Sequence, residues 1–129
     1  MILLDTHILL WLVLESKRLS KDARLAIRKA QAGGGLAISA ISLWELARLA
    51  QSGRVRISGT VEAFVRSCSS GVSVRPITPE IAAYAVQLPP SFPKDPQDRL
   101  IAATAVVEGI PLVTADERIG ATKAIRTIW

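Results

Sequence analysis

Five aspartates occur in the 129 residues, and four of them, Asp5, Asp95, Asp98 and Asp116, stand beside strongly apolar segments. Glu45 is set in a similar apolar stretch, Leu43-Trp44-Glu45-Leu46. A carboxylate in such surroundings costs desolvation energy unless a cation or several donors meet it. If these acids share one site, mutual repulsion raises their pKa values and opposes folding until a metal neutralises them. Oxygen-only ligation selects hard cations, Mg²⁺ or Mn²⁺, over zinc. Cys68 is the only cysteine, so neither a Cys-rich zinc site nor a disulfide framework is available. A Mg²⁺ held by few carboxylates keeps open positions for phosphate oxygens, and the matching chemistry is phosphodiester hydrolysis by metal-activated water.

The elements that would gather the acids follow from periodicity. Ile2-Leu3-Leu4 reads as a short buried strand ending at Asp5. Thr6 is placed to cap a helix carrying Ile8, Leu9, Trp11, Leu12 and Val13. Ser20 starts a second helix with Ala23, Ile27 and Ala30 inward, and Gly33-Gly34-Gly35 ends it. Leu36 to Ser39 is a second strand, and Ser42-Leu43-Trp44-Glu45 opens a third helix running to about Gln51. A fourth helix covers Val61 to Ser67, and Val72-Ser73-Val74 makes a third strand. Thr78-Pro79-Glu80 starts a fifth helix, with Thr as cap and Pro at the first helical position.

Leu88 to Pro96 holds four of the seven prolines and reads as a stiff loop. It leads into a central helix that begins Asp95-Pro96-Gln97-Asp98-Arg99, is apolar almost all round, and ends at Gly109. Leu112-Val113-Thr114 is a fourth strand, Asp116 to Ile119 a short helical turn, and Ala124 to Ile128 a final edge strand. Alternating strands and helices predict a three-layer α/β/α sandwich around a mostly parallel sheet of about five strands, in one domain spanning residues 1–129. Ligands of such sheets bind beyond the carboxyl ends of the strands, where Asp5 and Asp116 fall directly. Glu45 and Asp98 sit near helix starts at the same edge.

Each acid also has a structural role available to it. Ser42-x-x-Glu45 has capping-box spacing, Asp95 before Pro96 is a good N-cap, Asp98 is placed to return a bond from the third helical position, and Asp116 suits the first turn of a helix. Asp5 is the hardest to explain this way, because it closes a buried strand.

The net charge of +5 and the pI of about 10 favour an anionic partner, nucleic acid being the commonest. Bases fill surface-like stretches such as Lys17-Arg18 through Arg28-Lys29, and Arg48, Arg54 and Arg56. No apolar run approaches the roughly 20 residues that span a bilayer. Met1-Ile2-Leu3-Leu4 meets Asp5 with no basic region or cleavage site, so the expectation is a soluble, cytoplasmic protein.

Five blocks in order resemble the PIN-domain ribonucleases of the VapC toxin type. They are Leu3-Leu4-Asp5-Thr6-His7, Ser42-Leu43-Trp44-Glu45, Asp95-Pro96-Gln97-Asp98-Arg99-Leu100, Leu112-Val113-Thr114-Ala115-Asp116 and Ile128-Trp129. The resemblance implies a PIN-like fold and Asp5, Glu45, Asp98 and Asp116 as the acidic quartet holding Mg²⁺ or Mn²⁺. It implies RNA as substrate, a homodimer, and inhibition by a small antitoxin protein that inserts a segment near the site. Thr6, Asp95 and Thr114 match positions that support the ligands. At Gln97 many relatives carry an aromatic residue, a departure that bears on packing or substrate choice and leaves the quartet intact.

Arg48, one turn after Glu45, is the preferred RNA contact. Arg99 either touches phosphate or pairs with a neighbouring carboxylate. His7 is the sole histidine, and metal-activated water needs no histidine base. Trp11 and Trp44 are assigned to the core or a dimer interface, Trp129 to covering an edge strand, and Cys68 to the interior. Two other classes compete. A phosphoacceptor receiver domain needs an acid after the third strand and a lysine after the fifth, and Val74-Arg75-Pro76 and Ile128-Trp129 supply neither. An inactive scaffold that only binds RNA or a partner would tolerate loss of an acid, and all four are present.

Overall fold

The computed structural model describes all residues, 1–129. Five parallel strands form one sheet in the order β3-β2-β1-β4-β5. They are β1 (Ile2–Leu4), β2 (Leu36–Ser39), β3 (Ser73–Arg75), β4 (Leu112–Val113) and β5 (Thr127–Ile128). Seven α-helices connect or flank them: α1 (Thr6–Leu14), α2 (Lys21–Ala32), α3 (Ala40–Gln51), α4 (Val61–Ser69), α5 (Pro79–Gln87), α6 (Pro96–Glu108) and α7 (Glu117–Gly120). A 3₁₀ turn at Ser16–Arg18, which the periodicity does not signal, follows α1.

The strand pleat divides the interior in two. Ile2 and Leu4 of β1, Leu36 and Ile38 of β2, and Val113 of β4 join one apolar cluster with Ile8, Leu9, Ile27 and Leu46 of α1, α2 and α3. Leu3, Ala37 and Leu112, one residue out of phase, face the other layer, where Ile101, Ala102 and Ala105 of α6 meet Leu88 and Phe92. This is the α/β/α sandwich expected, and period-two alternation in strands buried on both faces produces it. α6 is apolar nearly all round because it lies between the sheet and α5, whose Ile81 and Ala85 pack on Ala103. Gly109, at φ 66°, closes α6 in the left-handed conformation that a side chain disfavours.

Several local expectations shift. The cap of α1 is Asp5, whose carboxylate accepts from Thr6 N, so Thr6 is the first helical residue. α3 starts at Ala40 with Ser39 as its cap, two residues earlier than expected. β2 therefore runs into α3 without a loop, and Ser42 and Glu45 form no capping box because both lie inside the helix. β5 is shorter than the segment read from Ala124. Thr78, Ser20 and Asp95 cap their helices as expected.

Candidate metal centre

The register of the central strands builds the floor of the site. Leu4 of β1 pairs with Val113 of β4, so both chains leave the sheet side by side at their carboxyl ends. Asp5 follows the first, and Thr114 and Asp116 follow the second. The Thr114 hydroxyl donates to Asp5 Oδ2 at 2.7 Å, and Thr6 N donates to Asp5 Oδ1 at 2.8 Å. Each carboxylate oxygen of Asp5 is thereby held by one neutral donor. Burial nevertheless pushes the Asp5 carboxyl above its ordinary pKa, against the lowering effect of those two bonds.

Glu45 reaches the same place from the second turn of α3. Its Oε1 accepts the Thr6 hydroxyl at 2.6 Å, and Thr6 Oγ1 lies 2.8 Å from Ser42 Oγ. Thr6 has a single hydroxyl proton, which goes to Glu45, so Ser42 must donate to Thr6. The relay Ser42→Thr6→Glu45 is fully buried at its first two members. Ser42 is a supporting residue that sequence reasoning placed only as a capping box, and the helical spacing of Ser42 and Glu45 was its one available signal. The Glu45 carboxyl is raised by burial, eased by Thr6, and raised again by Asp5.

α6 delivers two acids at its amino end. Asp95 caps the helix, its Oδ1 accepting from Gln97 N at 3.0 Å. Asp98 is the third helical residue and, instead of returning a bond to the cap, faces the other acids. Burial, then the charges of Asp5, Asp95, Asp116 and Glu45, push its carboxyl up to about 7. The nearest cation is the Arg118 guanidinium, 3.8 Å from Asp98 Oδ2. Asp116 caps α7 and is the exception. The side chain of Arg118 bonds it and holds its carboxyl below the ordinary range.

Asp5, Glu45, Asp95, Asp98 and Asp116 line one cleft of about 350 Å³, with His7, Trp11, Arg48, Arg54 and Arg118 among the residues around it. No three acids close on a single point. The acids offer only oxygen donors, two of them are pre-oriented by threonine hydroxyls, and three of the four that would hold the ion are raised towards protonation. That oxygen donor set suits a hard divalent cation. Asp5, Glu45, Asp98 and Asp116 would hold it, with Thr6, Thr114 and Asp95 behind them.

Among the basic residues the structure separates roles. Arg48 lines the cleft, with its guanidinium 5.1 Å from the ring centre of Trp44. Arg99 neither reaches the cleft nor pairs with a carboxylate. It donates to the carbonyls of Pro93 at 3.0 Å, Ala85 and Leu88 at 3.2 Å, and Pro89 and Phe92 at 3.4 Å. A planar fork of donors suits that ring of carbonyls, and Arg99 staples the proline-rich loop to α5 and α6. Trp44 is 54 % exposed, so it is not a core residue, whereas Trp11 is half-buried, 5.9 Å from Trp129 and 4.4 Å below Arg18. Trp129 thus packs on α1 beside the cleft and does not simply cover the sheet edge. His7 stacks edge-on against Trp11, and Cys68 is buried as expected.

A family model described as PIN domain matches residues 2–125. A relative named Ribonuclease VapC22, from Mycobacterium tuberculosis (strain ATCC 25618 / H37Rv), is 43% identical over 130 aligned positions, covering 99% of this chain and 98% of the relative. Among solved structures, VapBC2 from Rickettsia felis bound to a fragment of promoter DNA aligns with a TM-score of 0.75 and 18% identity, covering 98% of this chain and 97% of that one. DNA-bound VapBC from Salmonella typhimurium aligns with a TM-score of 0.72 and 22% identity, over the same shares of 98% and 97%. At those identities the structural likeness establishes the fold.

Proposed function

The chain belongs to the PIN-domain family, and we propose that it is a Mg²⁺- or Mn²⁺-dependent endoribonuclease, the toxin of a toxin–antitoxin pair. The observation that carries this reading is the convergence of five acids, Asp5, Glu45, Asp95, Asp98 and Asp116, on one cleft rimmed by Arg48, Arg54 and Arg118. A fold does not need such an arrangement, and a bound divalent cation explains it. The kinship with a protein named a ribonuclease supports RNA as the substrate.

Bound between Asp5, Glu45, Asp98 and Asp116, the cation would activate water for attack on the phosphodiester and offset charge on the leaving oxygen. The protein's own contribution is positional. Thr114 and Thr6 fix Asp5, the Ser42→Thr6 relay fixes Glu45, and the cap at Asp95 fixes the start of α6 that presents Asp98. Arg48 and Arg54 at the rim would meet backbone phosphates, and unpaired RNA is the form whose bases a cleft can admit. We further infer a single catalytic domain over residues 1–129, a homodimer, a small antitoxin as inhibitor, and a cytoplasmic setting. No helix is long and apolar enough to cross a membrane, and VapBC assemblies among the structural neighbours support the antitoxin.

The test is cleavage of total cellular RNA by purified protein freed of any antitoxin, with Mg²⁺, with Mn²⁺, with chelator, and with Asp5→Asn. Discrete fragments that require metal and vanish in the variant are expected. Absence of cleavage by folded, metal-bound protein would favour an RNA- or partner-binding scaffold.

A further inference from the structure

One cation is already built into the acidic cleft. Arg118 lies on α7 two residues after Asp116, and its Nε is 3.2 Å from Asp116 Oδ1 while its Nη2 is 2.9 Å from Asp116 Oδ2. The same Nη2 stands 3.8 Å from Asp98 Oδ2. Asp116 Oδ1 also accepts Arg118 N at 2.9 Å, so both oxygens of Asp116 are engaged by one residue. Asp5 and Glu45, by contrast, meet only hydroxyl and amide donors.

We propose that Arg118 is an internal counter-cation of the metal site, one that pairs with Asp116 beside Asp98 and gives way when a divalent cation binds. The inference rests on the metal-site reading above and adds a residue that the acidic quartet does not include. Two physical points support displacement. Arg118 takes three of the roughly four lone-pair positions of Asp116, so a metal ligated there must use what remains on Oδ2 or displace a guanidinium donor. A divalent ion ligated by Asp98 or Asp116 would also stand close to the guanidinium charge and repel it. The side chain is 68 % exposed, against 20 % for Asp98 and 22 % for Asp116, so the arginine can swing into solvent while the acids stay in place. Arg118 therefore sets metal affinity from outside the ligand set. It screens carboxylate repulsion when the cation is absent and competes when it is present.

The experiment is calorimetric titration of Mn²⁺ and of Mg²⁺ into the wild-type protein and into Arg118→Gln, with no RNA present. An exposed ion pair is a weak competitor, so Arg118→Gln is expected to bind metal roughly two- to fivefold more tightly. Equal or weaker binding by the variant would overturn the proposal while leaving the metal site standing. No binding by either protein would overturn both. As a check independent of any variant, the Arg118 Nε–H resonance of the wild-type protein is followed by NMR during Mg²⁺ addition. It is expected to move, with the same midpoint as the calorimetric titration, towards the position of a solvent-exposed arginine. A resonance that stays put as the site fills would overturn the displacement.

Discussion

Thr114 and Asp5 lie 109 positions apart in the chain and share a 2.7 Å hydrogen bond from the threonine hydroxyl to Oδ2 of the aspartate. The bond ties the end of β4 to the end of β1 and orients the most deeply placed acid of the cleft. Thr114→Val keeps the shape and removes the donor. It is expected to cost about 1 kcal/mol of stability and, as for other supporting partners of metal ligands, roughly 10- to 100-fold in metal affinity or activity. Thr114→Ser should restore most of the metal affinity in a calorimetric titration. If valine and threonine bind metal alike, Asp5 does not depend on this bond.

Metal-free stability should fall as pH rises from about 4 to about 7. Asp98 ionises near 3.8 when unfolded and at about 7 when folded, so across that window the unfolded chain binds fewer protons and gains relative to the folded one. Asp5 and Glu45, also raised by burial, act in the same direction. Asp116 is lowered, so its contribution is lost only on acidification below its ordinary value, outside this window. Urea unfolding from pH 4 to pH 8 would show the slope, and Asp98→Asn should flatten it.

Mg²⁺ or Mn²⁺ should raise the melting temperature of the free protein by binding the folded state alone. At a metal concentration a hundred times its dissociation constant the gain is about 2.7 kcal/mol. Asp98→Asn should melt higher than wild type without metal and respond little to its addition. Melting curves that ignore metal in both proteins would remove the site.

RNA affinity should weaken steeply with added salt if the arginines at the rim of the cleft meet backbone phosphates. Replacing Arg48 with Gln should reduce the slope of log affinity against log salt by about one, uniformly across sequences. Fluorescence anisotropy with a labelled single-stranded oligonucleotide and the inactive Asp5→Asn background measures this. An unchanged slope would take Arg48 out of the interface.

Arg99→Lys should destabilise the fold and leave metal affinity intact. Lysine keeps the charge and loses the planar fork that serves five carbonyls, and a cost of roughly 2–3 kcal/mol is expected. A stable variant with impaired RNA binding would return Arg99 to the phosphate role read from the sequence.

The alternation of strands and helices was legible because each strand is a short continuous apolar run and each long helix carries its own cap, as at Ser20, Thr78 and Asp95. The gathering of acids into one cleft was legible for a related reason: Asp5 follows β1 at once and Asp116 comes three residues after β4, both at the carboxyl edge of a parallel sheet. The start of α3 was not, since Ser39 and Ser42 are both acceptable caps and only the direct passage from β2 into the helix decides between them. Arg99, Arg118 and Ser42 were misread or missed because their partners are tertiary. A guanidinium says nothing in sequence about whether it will meet a phosphate, a carboxylate or a set of backbone carbonyls. Of the two places read for Trp44, core or dimer interface, its exposure rules out the core.

The strand order β3-β2-β1-β4-β5 puts the first strand at the middle of the sheet, with the next two strands made on one flank and the last two on the other. Asp5 is made first and waits for Thr114 and Asp116 to reach it. A chain still being synthesised, with β4 held inside the ribosome, can pair β1 with β2 and display Asp5 and Glu45 to solvent, yet it cannot close the cleft. With this topology the acids of the cleft come together only when the strands from the end of the chain have been made.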